Sequence, residues 1–230
     1  MFDEPRSNVS TNLVAPQMVI NSRMLYYGWI PEDPEALRRL LPPGLRPIEN
    51  AQVFMNQYVV DAAEQTSGFG AYSLTCAGLD LDRTAPDGTT PSRWWTHSFN
   101  SSPNVREYVM ARGVPATAGR TTIELSAGVV VATTYSGDTP VIRSTATIGT
   151  PAVTAGGQLS YITDIDGRLV DRISPWIATL VDPWQVTSLE FLDPDSSVYA
   201  LRPKSPLEVT WGFYSPNASF CDPGGELLVS

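Results

Sequence analysis

The sequence predicts a single, mainly antiparallel β domain with a few short helices. Its 230 residues, 42% of them hydrophobic, suit one globular core, because cores longer than roughly 250–300 residues tend to split into separate domains. Many short segments rich in β-branched and aromatic residues are separated by Gly, Pro, Asp and Ser, which is typical of strands and turns. Closing such a sheet into a barrel would remove its exposed edges.

Two helices have clear start and stop signals. Asp33 is a suitable N-cap for a helix that begins at Pro34, and Pro42-Pro43-Gly44 ends it, which predicts a helix over 34–41. Ser102 caps a second helix over 103–112 that Gly113 ends.

Almost all other patterned segments predict strands. Ser136-Gly137-Asp138 and Asp166-Gly167 are hairpin turns between neighbouring segments. The alternation of apolar residues slips by one near Ala77-Gly78, which predicts a β-bulge. The predicted strands are Gln52–Val60, Tyr72–Leu81, Thr121–Leu125, Val129–Tyr135, Val141–Ile148, Leu159–Thr163, Leu169–Ile173, Val186–Phe191 and Leu207–Phe213.

The organisation along the chain is simple. Residues 1–20 carry weak periodicity and are expected to form an arm on the surface or on a neighbouring subunit. Residues 21–230 show no repeat or linker-like change in composition, so we expect one domain there.

Charge and hydropathy exclude several classes of function. The chain has 15 basic and 24 acidic residues and a net charge of −9, which disfavours nucleic acids and anionic membranes as partners. No run approaches the roughly 18 apolar residues of a membrane helix, and the first residues are acidic and polar where a signal peptide would be basic and then apolar. We therefore expect a cytoplasmic protein.

Residues that commonly carry chemistry are rare. Lys204 is the single lysine and His97 the single histidine, so a multi-histidine metal site is excluded and no metal is expected. Cys76 and Cys221 lack CxxC spacing, which favours buried free thiols over a metal or redox motif.

Several segments, taken in order, resemble the acetoacetate decarboxylase superfamily over roughly residues 20–215. They are Asn21-Ser22-Arg23, the helix from Asp33 to Leu45, Thr66-Ser67-Gly68-Phe69-Gly70-Ala71-Tyr72, the segment around His97, Ala118-Gly119-Arg120 and Leu201-Arg202-Pro203.

This resemblance implies a cone-shaped antiparallel β-barrel around a largely apolar active-site cavity, in a protein that is usually a homo-oligomer. It also implies a lysine that forms a Schiff base with a β-keto acid, shortly after a Gly-Arg-Glu element.

The sequence departs from that chemistry at two places. The element reads Gly119-Arg120-Thr121, and no lysine lies in residues 122–128. Leu74 occupies the place of a glutamate of the family. Lys204 lies in a two-proline turn, where a solvated surface lysine is expected. We therefore expect that Schiff-base catalysis is lost.

The resemblance and the local sequence together suggest the site residues. Arg23 matches an arginine associated with the substrate carboxylate, although it could equally be a structural ion-pair partner. His97 is a candidate base or a satisfied core histidine, and Arg120 with Glu124 is a candidate catalytic pair or a salt bridge. The candidate substrate-binding residues are Asn56, Gln57, Tyr58, Tyr72, Leu74 and Trp95. Asn56, Gln57 or Tyr58 could occupy the place of a second pocket glutamate of the family, whereas Tyr58, Tyr72 and Trp95 could instead be ordinary core.

Three classes of function stay open. The first is an enzyme without a cofactor that dehydrates, cyclises or isomerises an oxo-acid or polyketide-like intermediate, in bacterial specialised metabolism. The second is a decarboxylase that works without a covalent bond to substrate, and the third is a binding protein without turnover. In each case the expected ligand is a small hydrophobic or acidic molecule.

Overall fold

The structure, a computed structural model, describes residues 13–229 and consists mostly of β-strands. Two α-helices and two 3₁₀ helices, Ala63–Gln65 and Ser197–Leu201, connect them. In chain order the elements are β1 (Gln17–Trp29), α1 (Pro34–Arg38), β2 (Val53–Val60), β3 (Tyr72–Thr84), β4 (Pro91–Asn100), α2 (Pro103–Met110), β5 (Ala116–Ala118), β6 (Arg120–Ser126), β7 (Val129–Ser136), β8 (Thr139–Ile165), β9 (Arg168–Phe191), β10 (Val209–Asp222) and β11 (Leu227–Leu228).

These strands form one sheet that returns to itself. Its order is β11-β9-β10-β1-β2-β3-β4-β8-β7-β6, with β5 beside β4, and β8 also pairs with β9. That last pairing closes a ring of seven strands: β1, β2, β3, β4, β8, β9 and β10. The pairing is antiparallel except between β4 and its neighbours β5 and β8. The expected fold class, a mainly antiparallel barrel-like sheet with short helices, is confirmed.

The two-residue period of the strands divides their side chains between two cores. On β1, Leu25 and Tyr27 belong to one core and Met24 and Tyr26 to the other. The same division holds on β2, where Met55 and Phe54 belong to different cores. We call the core that contains Met24, Tyr26 and Phe54 the ring core and the core that contains Leu25, Tyr27 and Met55 the outer core.

The two hairpin turns and the bulge lie where the sequence predicts them. Asp166 and Gly167 both have positive φ, 52° and 78°, as a tight type I′ turn between β8 and β9 requires. The register between β3 and β4 shifts at Ala77/Gly78. A Cβ at Gly78 would lie 1.8 Å from the Trp94 carbonyl oxygen, so only glycine permits this approach.

Both helices are shorter than predicted. The first ends at Arg38 and not at residue 41, and Asp33 caps it by accepting a hydrogen bond from the Ala36 N–H. The second ends at Met110 and not at residue 112, ahead of Gly113 with φ 78°. In each case the chain continues as a hydrogen-bonded turn, in which the Leu41 N–H donates to the Arg38 carbonyl and the Gly113 N–H to the Met110 carbonyl.

Each predicted strand corresponds to a strand of the structure or to part of one, but several of those strands are longer than predicted. Two pairs of predicted segments merge into the long strands β8 and β9, and β1 and β4 were not predicted as strands. The last predicted strand, which corresponds to β10, continues past residue 213 to Asp222. Polar and glycine-rich stretches such as 154–158 are part of β8 because residues of β9 pair with them and satisfy their backbone hydrogen bonds.

Of the predicted N-terminal arm, residues 1–12 lie outside the described residues, and Gln17–Ile20 form the first part of β1. Within residues 13–229, no helix has both the length and the apolar character needed to span a bilayer.

Candidate functional site

A cavity lies inside the ring of strands. Its volume is about 100 Å³, several times the roughly 10–15 Å³ that one water molecule needs. All seven strands of the ring contribute to its wall, and Phe69, Val105, Val109 and Val114 close one side from around α2. The strand residues are Met24, Tyr26, Asn56, Tyr58, Tyr72, Leu74, Cys76, Trp95, Ser98, Leu159, Tyr161, Arg172, Ser174, Trp176, Phe213, Ala218, Ser219, Phe220 and Asp222.

One row of cross-strand neighbours crosses this wall. Tyr26 on β1 pairs with Asn56 on β2, Asn56 with Cys76 on β3, and Cys76 with Ser98 on β4. Residues directly opposite each other on antiparallel strands point to the same face. The row therefore presents hydroxyl, amide and thiol groups side by side within an otherwise apolar enclosure.

Two pairs of tyrosines place phenols in the wall. The Tyr26 and Tyr161 hydroxyl oxygens lie 3.1 Å apart, and those of Tyr58 and Tyr72 lie 2.8 Å apart. Burial raises the pKa of all four phenols above the usual value. They are therefore neutral hydroxyls unsuited to act as phenolate bases, and in each pair one hydroxyl donates to the other while the second keeps its proton for a ligand.

The Cys76 thiol is equally unreactive. Burial raises its pKa to about 12, and the thiolate is the nucleophilic form of cysteine. The structure confirms the expected free, buried thiol at this position, whereas the free Cys221 is only partly buried.

Arg172 is the cation in the cavity wall, and it is 5% exposed. Its Nη2 donates to the Arg112 carbonyl oxygen at 3.2 Å, and its guanidinium carbon lies 5.4 Å from the centre of the Trp95 ring. Burial lowers its pKa, while the negative charges of Asp222 and Glu226 act in the opposite direction. The Arg172 charge is therefore costly where it lies.

Three polar atoms of the wall have no hydrogen-bond partner. They are Oδ1 of Asn56, which is 7% exposed, Nε1 of Trp95 and Nε of Arg172. Buried polar atoms in native proteins almost always have a partner, so each unpartnered one calls for an explanation. All three residues line the cavity, which makes a ligand in the cavity a candidate partner for these atoms.

Five of the six predicted substrate-binding residues lie in this wall: Asn56, Tyr58, Tyr72, Leu74 and Trp95. Gln57 does not, because its side chain lies on the opposite face of β2. There its Nε2 donates to the Thr134 hydroxyl at 3.0 Å, and its Oε1 accepts from the Ser144 hydroxyl at 2.6 Å.

Arg23 also lies outside the cavity wall. Its Nε and Nη2 donate to the two carboxylate oxygens of Asp61 at 2.8 and 2.6 Å, and its Nη1 donates to the Ile123 carbonyl at 2.6 Å. The hydrogen bonds to Asp61 raise the pKa of the Arg23 guanidinium. This geometry matches the structural ion pair that the sequence left open as the alternative.

His97 points away from the cavity because it follows the bulge and alternates with Ser98, which faces the cavity. Its Nε2 lies 3.0 Å from the Ser197 hydroxyl and its Nδ1 3.0 Å from the Thr96 hydroxyl. Burial lowers the pKa of His97 to about 4. The imidazole is therefore neutral at pH 7 and its conjugate acid is more acidic than an effective general base requires.

Arg120 and Glu124 are exposed residues on one face of β6. The guanidinium carbon of Arg120 lies 3.6 Å from the centre of the Tyr135 ring across the hairpin, and neither Arg120 nor Glu124 lines the cavity. A role in turnover for Arg23, His97, Arg120 or Glu124 stays a prediction, because these four residues lie apart from the five that the cavity brings together.

Sequence reasoning missed the part of the wall that comes from β8, β9 and β10, including Tyr161, Arg172 and Asp222. Residues 159–163 and 169–173 were predicted as strands, but the local sequence does not determine which other strands surround the same cavity. The alternation of Leu159 and Tyr161 with Ser160 was the available signal for one inward face.

Lys204 is not part of the cavity wall. Its ammonium group pairs with the Glu208 carboxylate, and 40% of its side chain is exposed. This is the solvated lysine that the sequence predicts.

The ring of strands, its enclosed cavity and the helices that cover one side define a barrel-like fold suited to binding a small molecule. Among solved structures, the chain is similar to acetoacetate decarboxylase from Legionella pneumophila, with 14% identity over 100% of this chain and 93% of that chain, and a TM-score of 0.71. It is similar to the enduracididine biosynthesis enzyme MppR, solved in complex with pyruvate, with 14% identity over 98% and 95% of the two chains and a TM-score of 0.67. An acetoacetate decarboxylase-like enzyme from Sphingomonas wittichii RW1 matches with 14% identity over 100% and 98% and a TM-score of 0.62.

These similarities show that the chain has the acetoacetate decarboxylase-like fold. No protein-family model matches the sequence, and no curated protein matches it at a significant level.

Proposed function

We propose that this protein is an enzyme without a cofactor that binds an oxo-acid or polyketide-like intermediate in the ring cavity and dehydrates, cyclises or isomerises it. The observation that carries the proposal is a largely apolar cavity whose wall holds three unpartnered buried polar atoms. Enclosed apolar sites with a few convergent polar groups are the usual form of small-molecule sites. MppR, which shares the fold, binds pyruvate, and a bacterial biosynthetic role for this chain is part of the same proposal.

The wall offers what enolate chemistry needs. Dehydration, cyclisation and isomerisation next to a carbonyl can all begin when a base removes a proton from the adjacent carbon and the electron pair moves onto the carbonyl oxygen. In the pair Tyr26–Tyr161 one hydroxyl donates to the other, and the second hydroxyl can donate its proton to that oxygen as it becomes negative. Asp222 is the carboxylate in the wall and the candidate acceptor of the proton.

The same wall makes amine catalysis a poor fit. A Schiff base needs an amine inside the site, and Lys204, the only lysine of the sequence, lies outside the wall in an ion pair. We therefore propose that the reaction proceeds without a covalent bond to the protein.

Proton exchange tests this proposal without knowledge of the natural substrate. The protein is incubated in D₂O with 2-oxobutanoate or 4-phenyl-2-oxobutanoate, and loss of the C3 proton signals is followed by NMR. Exchange faster than in buffer is expected for the wild type, and loss of that acceleration is expected when Ala218→Leu fills the cavity. Tight binding of oxo acids without exchange would instead support the binding protein.

Reduction with borohydride distinguishes a Schiff-base mechanism from the proposed non-covalent reaction. The mass of the protein after incubation with acetoacetate and borohydride should be unchanged, whereas an imine would be reduced to a stable adduct. An adduct mapped to Lys204 would contradict the non-covalent reaction.

A further inference from the structure

Of the arginines in the described residues, Arg172 is the one in the cavity wall, and its charge is not matched by a contacting carboxylate. None of the ion pairs between residues 13 and 229 includes it. The nearby Glu226 is instead 3.2 Å from Nε of Arg112. Arg172 thus combines 5% exposure, one backbone acceptor and a free Nε.

Such an arrangement is costly in the absence of a ligand. A buried charge normally has an opposite charge or several hydrogen bonds, because desolvation without compensation is expensive. The ring of Trp95 compensates in part by lying under the guanidinium. An anion in the cavity would supply the missing charge and accept from the free Nε.

The strand register fixes what lies next to that anion. Arg172 pairs directly with Tyr161 across β8 and β9. The Tyr161 ring stacks on Trp95 with centroids 4.4 Å apart, and the Tyr161 hydroxyl lies 3.1 Å from that of Tyr26. A carboxylate at Arg172 would therefore lie beside the strand position that carries one phenol of this pair.

We propose that Arg172 is the anchor for a substrate carboxylate, and that the ligand extends from it along Tyr161 and Tyr26 toward the unpartnered Oδ1 of Asn56. The substrate class is then an acid with an oxo or enol oxygen near the phenols and a hydrogen-bond donor, such as a hydroxyl group, that reaches Asn56. This inference rests on the proposed function, and it gives the ligand an orientation that the function alone does not.

Asp222 competes with the anion. It lines the same cavity as Arg172, and its negative charge opposes the lowering of the Arg172 pKa. Removing that negative charge should strengthen anion binding, an effect opposite in sign to that of removing Arg172.

The test compares 4-phenylbutanoate with 4-phenylbutanamide, two probes of nearly the same shape that differ in charge. Calorimetry at pH 7 should show that the wild type binds the acid at least about tenfold more tightly than the amide, as a hydrogen bond to a charged group implies. Arg172→Gln should remove that preference and leave amide binding within about twofold. Asp222→Asn should increase affinity for the acid.

Arg143→Gln is the matched control, because it removes the same charge from a half-exposed side chain outside the cavity wall. It should leave both affinities unchanged. If Arg172→Gln does not fold, Arg172→Lys and Asp222→Asn provide the comparison, since they must shift acid affinity in opposite directions.

The outcomes separate this inference from the proposed function. Equal binding of acid and amide by the wild type, or an unchanged preference in a folded Arg172 variant, would overturn the anchor and leave the cavity as the site. Binding of neither probe would overturn the anchor, and proton exchange with the oxo acids would then decide the proposed function separately.

Discussion

Arg23 and Asp61 form a two-point ion pair, with two N–O distances of 2.8 and 2.6 Å, on the face of β1 opposite the cavity. Arginine is suited to this geometry because its planar guanidinium matches the two carboxylate oxygens. The same property would suit a substrate carboxylate, so the residue type alone cannot decide between the two roles. The structure shows that the carboxylate of Asp61 binds the Arg23 guanidinium.

The first prediction concerns this pair. Arg23→Ala should lower the free energy of unfolding by about 1 kcal/mol, since both partners are partly exposed and such pairs contribute little. Affinity of the cavity for 4-phenylbutanoate should not change. Urea denaturation and calorimetry measure the two effects, and Asp61→Asn is the control for the same contact. A folded Arg23→Ala protein that has lost ligand binding would show that the site lies on the other face of the sheet.

The second prediction fills the cavity. Ala218 is 3% exposed and lines the wall, so Ala218→Leu would place about three additional carbon atoms into the open space. Overpacking a filled core typically costs about 1–3 kcal/mol, but here the space exists, and we expect a change in stability of less than about 1 kcal/mol together with loss of ligand binding. A loss of stability without loss of binding would place the ligand elsewhere.

The third prediction concerns the buried polar network of the outer core. Gln57 is fully buried and bonded to Thr134 and Ser144, and Thr134 in turn bonds to Thr75 at 2.6 Å. Gln57→Leu removes two hydrogen bonds and should cost about 1–3 kcal/mol. The control is Gln158→Leu at an exposed position of β8, which should change stability by at most about 0.5 kcal/mol.

Affinity for the two phenylbutyl probes distinguishes this structural role from a role in binding. It should be unchanged in Gln57→Leu, because Gln57 faces the outer core. A folded variant with weakened binding would mean that Gln57 contributes to the site as the sequence predicts.

Much of the fold could be predicted from the sequence because its signals are local. Asp33 with Pro34, and Asp166 with Gly167, act through the backbone of a few neighbouring residues. The merging of β8 and β9 into long strands could not be predicted, because stretches such as 154–158 become strand only when a partner pairs with them. That partner is fixed by tertiary packing, not by propensity.

The candidate site was predictable to the extent that a resemblance located its segments. The resemblance suggested Asn56, Gln57 and Tyr58 together as site residues. Because side chains alternate along a strand, Gln57 lies on one face of β2 and its two neighbours lie on the other. A register uncertain by one residue therefore reverses the assignment of every side chain. The position of Arg172 in the cavity wall could not be predicted from the sequence, since it depends on the pairing of β9 with β8 that places Arg172 beside Tyr161.

The last prediction concerns pH. His97 has a folded-state pKa of about 4 because burial disfavours its charged form, whereas the unfolded chain has a value near 6.5. Between pH 6.5 and 4 the unfolded state therefore binds a proton that the folded state does not. Stability should fall as the pH is lowered through this range, by at most about 3 kcal/mol, and the contribution of His97 should be constant below pH 4 and above pH 6.5.

His97→Gln tests this prediction, because glutamine can still hydrogen-bond to Thr96 or Ser197 but does not titrate. The free energy of unfolding is measured by urea denaturation at intervals from pH 4 to 7.5 for both proteins. The difference between wild type and variant should decrease steadily toward acid pH in favour of the variant. Parallel curves would mean that His97 has a normal pKa, and would restore it as a candidate general base.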